Sequence, residues 1–247
     1  MWGQIMSNGH LPRSLPKPEP KTQVSKYPSS VDFEPLSMKR VDPVGDYWIT
    51  ANTCKMGTFS FQITASQLND IQSKINGPSF ESLSAIIWHS LAKIRPGSEP
   101  RVITVCRNGS NSRKNGYSVN HQIFGIVKAE FSIMDSNPSE LAALIVDQTV
   151  NETGQIERMM EKDQGLSDFI VYGANLTFLD LEEAELYGLE LKGKKPVFAN
   201  YTADGIGDEG AVLVLPGPST GRIVTVILPE DQVLQLRTEL EKEWFVV

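Results

Sequence analysis

The stretch Ser79-Phe80-Glu81-Ser82-Leu83-Ser84-Ala85-Ile86-Ile87-Trp88-His89-Ser90-Leu91-Ala92-Lys93 constrains the fold more than any other part of the chain. Phe80, Leu83, Ile87, Leu91 and Ile94 recur three or four residues apart, which is the spacing of one apolar face on an α-helix. Such a face has to lie against a core. Ser79 stands where an N-cap belongs, and Pro96-Gly97 stops the run.

The segments around it alternate between strand and helix periods. Phe59-x-Phe61-x-Ile63 reads as a strand, and residues 66–74 form a short helix that turns Leu68 and Ile71 inward. Residues 101–106 read as a strand. A loop rich in Asn, Gly and Ser comes next over 108–120, then an apolar stretch over 123–131. Asn137-Pro138-Ser139-Glu140 starts a helix, with Pro at the first helical position and Glu three residues after the Asn cap. That helix is expected to run patchily to Lys162 with a break at Gly154. Strands are expected at 174–179, 196–201, 211–215 and 222–228, and Pro229 opens a last amphipathic helix carrying Val233, Leu236 and Leu240. The order predicts a mixed α/β (α+β) fold. Seven of the fifteen prolines fall within the first 43 residues, so 11–43 reads as an extended connector rather than a packed domain.

Charge and cysteine content exclude several classes. Residues 1–60 carry seven basic and five acidic side chains, and the rest carries sixteen and twenty-five, for a net charge of −7. An acidic body without a Lys/Arg cluster argues against nucleic acid as a partner. Cys54 and Cys106 cannot form a disulfide framework and have no zinc spacing, so both are expected as free, buried thiols. No apolar run approaches the length of a transmembrane segment. Gly205-Ile206-Gly207-Asp208-Glu209-Gly210 matches the dinucleotide fingerprint, which requires a helix after its glycines to receive the pyrophosphate. Here Ala211-Val212-Leu213-Val214-Leu215-Pro216 comes next, so the glycines are expected in a turn before a strand.

The helix pattern Ser-Phe-Glu-x-Leu-Ser-Ala-x-Ile-Trp-x-Ser-Leu-Ala at residue 79 resembles the opening helix of the C-terminal half of plant BAHD acyltransferases. The resemblance implies a coenzyme-A-dependent acyltransferase-like mixed sheet with flanking helices. It also implies a family that moves acyl groups to alcohols or amines with the His of a His-x-x-x-Asp motif as base. Four residues after His10, His89 and His121 stand Ser14, Lys93 and Gly125, so this chain holds no such motif and no catalytic residue is assigned. By the same resemblance residues 1–57 are a remnant of an N-terminal domain with a proline-rich inter-domain crossover, and 58–247 are the C-terminal BAHD-like domain.

The second family signature, Asp-Phe-Gly-Trp-Gly before Lys-Pro-Val, is reduced to Lys195-Pro196-Val197. Glu190-Leu191-Lys192-Gly193-Lys194 stands where the pentapeptide belongs. In the family that Asp pairs with an Arg, so Arg107 and Glu190 are the candidate ion pair. Lys192, Lys194 and Lys195 are candidates for attracting the phosphates of an acyl-CoA. The lost pentapeptide, with the stretch Pro35-Leu36-Ser37-Met38-Lys39-Arg40-Val41-Asp42-Pro43 and Asp46-Tyr47-Trp48, resembles the eceriferum/glossy clade.

That clade implies a non-catalytic accessory protein in very-long-chain fatty acid elongation for cuticular wax. It would be peripheral on the cytosolic face of the endoplasmic reticulum and partnered by a 3-ketoacyl-CoA synthase. Acyl-CoA is then a possible ligand, with no covalent cofactor. The alternative is a cytoplasmic C-terminal fragment of an acyl-CoA-dependent O- or N-acyltransferase. A bare truncated product is the third reading, and it would expose a contiguous apolar patch. Among single residues, Trp88 is expected in the core and His89 as a satisfied helix residue. His121 lacks a placed carboxylate, and Glu182-Glu183-Ala184-Glu185 is expected as a solvated run.

Overall fold

The computed structural model describes residues 34–41, 53–109, 122–188 and 190–244. Its elements in chain order are β1 (Lys39–Val41), β2 (Met56–Ile63), α1 (Ala65–Ile75), α2 (Ser79–Ile94), β3 (Val102–Asn108), β4 (Gln122–Lys128), α3 (Pro138–Gln148), β5 (Val150–Asn151), α4 (Thr153–Asp163), β6 (Asp168–Ile170), β7 (Leu176–Asp180), β8 (Ala211–Pro216), β9 (Arg222–Pro229) and α5 (Glu230–Trp244). Seven strands form one mixed sheet in the order β2-β9-β8-β7-β3-β4-β5, and β1 pairs with β6 separately. β7 runs parallel to both β3 and β8, and the other pairings are antiparallel.

Strand β8 shows how the pattern builds the sheet. Val212 and Val214 enter the core under the helices, while Ala211, Leu213 and Leu215 enter a second cluster on the other face. A central strand buried on both sides needs a continuous apolar run, which Ala-Val-Leu-Val-Leu supplies. The helical face takes Phe61, Ile103, Phe178 and Val226 from the strands and packs them against α1, α2, α3 and α5. The opposite face is covered by connecting segments that bring in Tyr172, Leu186, Ala203 and Ile206.

Helix α2 lies at the centre of the helical layer. Every residue from Phe80 to Ala92 is buried, so the expected single apolar face is in fact a helix enclosed on all sides by the sheet and its neighbouring helices. Ser82, Ser84 and Ser90 are small enough to be buried on the remaining faces. The N-cap is Pro78, one residue earlier than expected, and makes no side-chain cap bond. The caps of the neighbours match the sequence closely. Asn137 and Glu140 close a capping box on α3, and Thr64 and Gln67 do so on α1.

Three sequence expectations are corrected. The helix expected to run on to Lys162 breaks at Thr149–Glu152, where β5 inserts, and Gly154 lies inside α4. Residues 196–201 form no strand: Pro196 lacks a donor, no strand pairs with them, and Val197, Phe198 and Tyr201 are 86, 58 and 53 % exposed. The proline-rich connector is packed down at its end. Leu36 and Ser37 donate their backbone N–H groups to the Glu152 carboxylate at 3.1 and 2.8 Å, and Met38 is buried. Residues 1–33 and 42–52 lie outside the described residues, as does His121.

Candidate functional site

β3 and β7 run parallel, and their last paired residues, Arg107 and Asp180, stand side by side. The N-terminus of α2 meets the sheet at this point and contributes Ser79 and Glu81. Arg107 forms an ion pair with Glu81, its Nε lies 3.8 Å from Asp180 Oδ2, and its guanidinium sits 5.3 Å from the centre of the Phe80 ring. One turn of chain beyond β7, Glu182 accepts from the Ser79 hydroxyl and from Nε of Arg222 at the start of β9. The knot therefore ties α2 to three strands.

Its chemistry is that of a fastening. Each carboxylate is engaged by a guanidinium, a hydroxyl or a backbone N–H; Asp180 Oδ1, for instance, accepts from Glu182 N at 3.2 Å. Burial pushes the Asp180 carboxyl above its ordinary range, and the nearby Glu182 and Glu81 carboxylates push the same way against Arg107. The expected partner of Arg107 was Glu190, whereas the carboxylates set against Arg107 are those of Glu81 and Asp180. Glu182, expected in a solvated run, is only 18 % exposed as a side chain. One signal for these partners is visible in hindsight. Both arginines, and the acids they meet, stand at the first turn of a helix or at strand ends, where elements must be joined.

The segment Glu190-Leu191-Lys192-Gly193-Lys194 makes a two-residue hairpin turn. Leu191 N donates to Lys194 O at 2.9 Å and Lys194 N donates back at 3.0 Å. Lys192 and Gly193 both have left-handed backbone, with φ of 51° and 76°, as this turn type requires. Glycine takes that conformation freely, and lysine does so at some strain. Lys192, Lys194 and Lys195 are exposed on it, apart from the Arg107 knot in sequence and in bonding. The exposed Leu191, Val197, Phe198 and Tyr201 fall in the same stretch of chain.

Among the described residues, His89 and the two cysteines lack catalytic settings. His89 is 7 % exposed, and burial, helped by the Lys93 charge, pushes it below its ordinary value against Glu243 and Glu239 of α5. Cys106 is buried and its thiol is pushed up to about 12. Cys54, expected to be buried, is exposed; its Sγ donates to Asp208 at 3.4 Å, and the thiol is also raised. Neither is set up as a thiolate nucleophile. The glycine-rich segment 205–210 is a turn running into β8, with no helix after it. Its Gly207 N donates to Tyr172 O at 2.9 Å, and a Cβ at Gly173 would come within 2.5 Å of Gly207, so both glycines are dictated by contact.

The chain is 38 % identical to Protein ECERIFERUM 2 of Arabidopsis thaliana over 96 % of its length, and 36 % identical to Protein ECERIFERUM 26-like of the same plant over 98 %. It belongs to the eceriferum proteins. It spans about half the length of these relatives, 56 % in both cases, and the partial coverage fits their C-terminal half. No protein-family model matches the chain. Among solved structures, the apo and coenzyme-A-bound forms of F. graminearum TRI101 superpose with TM-scores of 0.63 and 0.64, at 10 and 13 % identity and over 90 and 91 % of this chain. The same superpositions cover 54 and 56 % of the TRI101 chains. Vinorine synthase superposes at 0.53 with 17 % identity, over 76 % of this chain and 47 % of its own. The fold is that of BAHD-type, coenzyme-A-dependent acyltransferases. In this eceriferum chain residues 190–194 form a lysine-bearing hairpin, and the Arg107 knot is closed by Glu81 and Asp180 from neighbouring elements.

Proposed function

We propose that this eceriferum chain is a non-catalytic, acyl-CoA-handling accessory unit in the lengthening of very-long-chain acyl groups for cuticular wax. The observation that carries the reading is likeness to ECERIFERUM proteins across nearly the whole chain, together with side chains that bind elements to one another rather than forming an acid–base pair. A condensing enzyme of the 3-ketoacyl-CoA synthase type would do the chemistry. The accessory unit would act beside it on the cytosolic face of the endoplasmic reticulum. Among the described residues no helix is long and apolar enough to cross a membrane.

The acyl-CoA part of this reading predicts a salt-sensitive contribution from Lys192, Lys194 and Lys195. Each lysine would meet a phosphate as a point charge on a solvated turn, a contribution of well under about 1 kcal/mol per side chain. Isothermal titration of the chain with a long-chain acyl-CoA at low salt is expected to show binding. The triple Lys→Gln variant is expected to lose roughly three- to tenfold in affinity, and the loss is expected to shrink as salt rises. Affinity unchanged by the triple substitution at low salt removes the lysines from the site. No binding at all removes acyl-CoA from the reading.

A further inference from the structure

Among the described residues the seven-stranded sheet ends at β2, and two contacts fix the direction of that edge's hydrogen bonds. Glu230 N donates to Lys55 O at 2.9 Å, which extends the β2–β9 register by one residue and makes 55/230 a hydrogen-bonded pair. Antiparallel pairs alternate, so Gly57, Phe59, Phe61 and Ile63 bond to β9 while the backbone groups of Met56, Thr58, Ser60 and Gln62 point out of the sheet. The far side of β9 agrees. Gly217 N donates to Gly221 O at 2.9 Å, and stepping that parity back along the β8–β9 register makes Thr225, which faces Ser60, a residue bonded to Leu213 of β8.

Edge strands in soluble proteins are usually blunted by a lysine, a proline, a bulge or an unusually short length. β2 has none of these. It is eight residues long, reads Met-Gly-Thr-Phe-Ser-Phe-Gln-Ile, pairs with β9 without a slip, and bears no charge. Lys55, the nearest cation in sequence, lies just outside the strand in an ion pair with Glu230. On the helical side Phe59 and Phe61 stack at 5.5 Å, with Phe59 only partly covered, and Arg237 of α5 lies 5.6 Å above its ring.

We propose that β2 is a dimer seam, on which a second copy of this chain pairs antiparallel about a two-fold axis through Ser60. The strand suits its own copy. Ser60 meets Ser60, Thr58 meets Gln62 of the second copy, and all of these residues present outward backbone groups, so each pair exchanges both bonds. On the helical face Phe59 comes opposite Phe61 of the second copy and continues the aromatic stack across the axis. Along the strand itself no like charges meet, because Lys55 falls opposite Ala65. A heterologous peptide could form the same bonds but would leave unexplained why an aromatic residue and then a polar one flank Ser60 on both sides.

Sedimentation of the chain over about 1–100 µM, a range in which specific dimers of moderate affinity dissociate, tests the seam. The wild type is expected to pass from monomer to dimer within that range. Thr58→Pro removes an outward N–H that the fold does not use, and Gly57 before it accepts the restriction that proline imposes. It is expected to raise the dissociation constant at least about tenfold while the thermal midpoint stays unchanged, because two symmetry-related bonds are lost. Thr58→Ala is expected to dimerise like the wild type. If Thr58→Pro lowers the midpoint, Gln62→Lys, which leaves the backbone intact, takes its place with the same expected weakening. A wild type that remains monomeric throughout overturns the proposal. So does a dimer that a properly folded edge variant leaves at wild-type strength.

Discussion

Truncating Trp88 to alanine is expected to destabilise the chain by about 4–5 kcal/mol, which is a large share of the stability of an ordinary domain. Trp88 is 0 % exposed at the middle of α2, in a helix enclosed on every side, so the cavity cannot collapse by moving one surface inward. Its Nε1 also donates to Pro100 O at 2.6 Å, and the truncation leaves that buried carbonyl without its donor. Trp88→Phe separates the two parts, since it keeps most of the volume and loses the bond, and is expected to cost about 2 kcal/mol. Chemical denaturation monitored by far-ultraviolet circular dichroism measures both. A cost below about 2 kcal/mol for the alanine variant would show that α2 is not enclosed on every side.

The second large effect is expected at Glu182. Its side chain is 18 % exposed and that of Arg222 is 20 %, so the pair is shielded enough for its loss to be felt, yet hydrated enough to fall short of a fully buried pair. Glu182→Ala is expected to cost about 2–3 kcal/mol, because Arg222 loses its carboxylate and the Ser79 hydroxyl loses its acceptor together. Glu182→Gln keeps an acceptor for Ser79 and should recover about half of that. In the double variant with Arg222→Met the cost should be clearly less than additive, because the two residues share one interaction. Additive costs would mean that the two side chains do not work as a pair.

Most of the architecture could be read from residues with strong periodicity or strong local chemistry. α2 was legible from its apolar spacing, α3 from Asn137-Pro138-Ser139-Glu140, and β8 from an apolar run closed by Pro216. The dinucleotide match at 205–210 fails because a strand, not a helix, succeeds its glycines, and the structure holds a turn into β8 there. The failures share a physical cause, namely dependence on partners remote in sequence. The apolar letters of 196–201 look like a strand until one asks what pairs with them. Glu182 looks solvated until Arg222 and Ser79, 40 and 103 residues away, are brought to it. Arg107 was recognisable as the arginine of an ion pair, but the acids set against it come from α2 and β7 and not from the 190–194 hairpin.

The proposed accessory role, a contribution by presence rather than by turnover, is the central claim to test. Chain length is the direct readout. A 3-ketoacyl-CoA synthase is expressed in yeast with and without this chain, and the total fatty acids are profiled by gas chromatography. The longest products are expected to extend by at least one two-carbon step when the chain is present, with no labelled acyl group moving to an alcohol or amine in the same extracts. An unchanged length profile, or acyl transfer that depends on the chain, would contradict the accessory role.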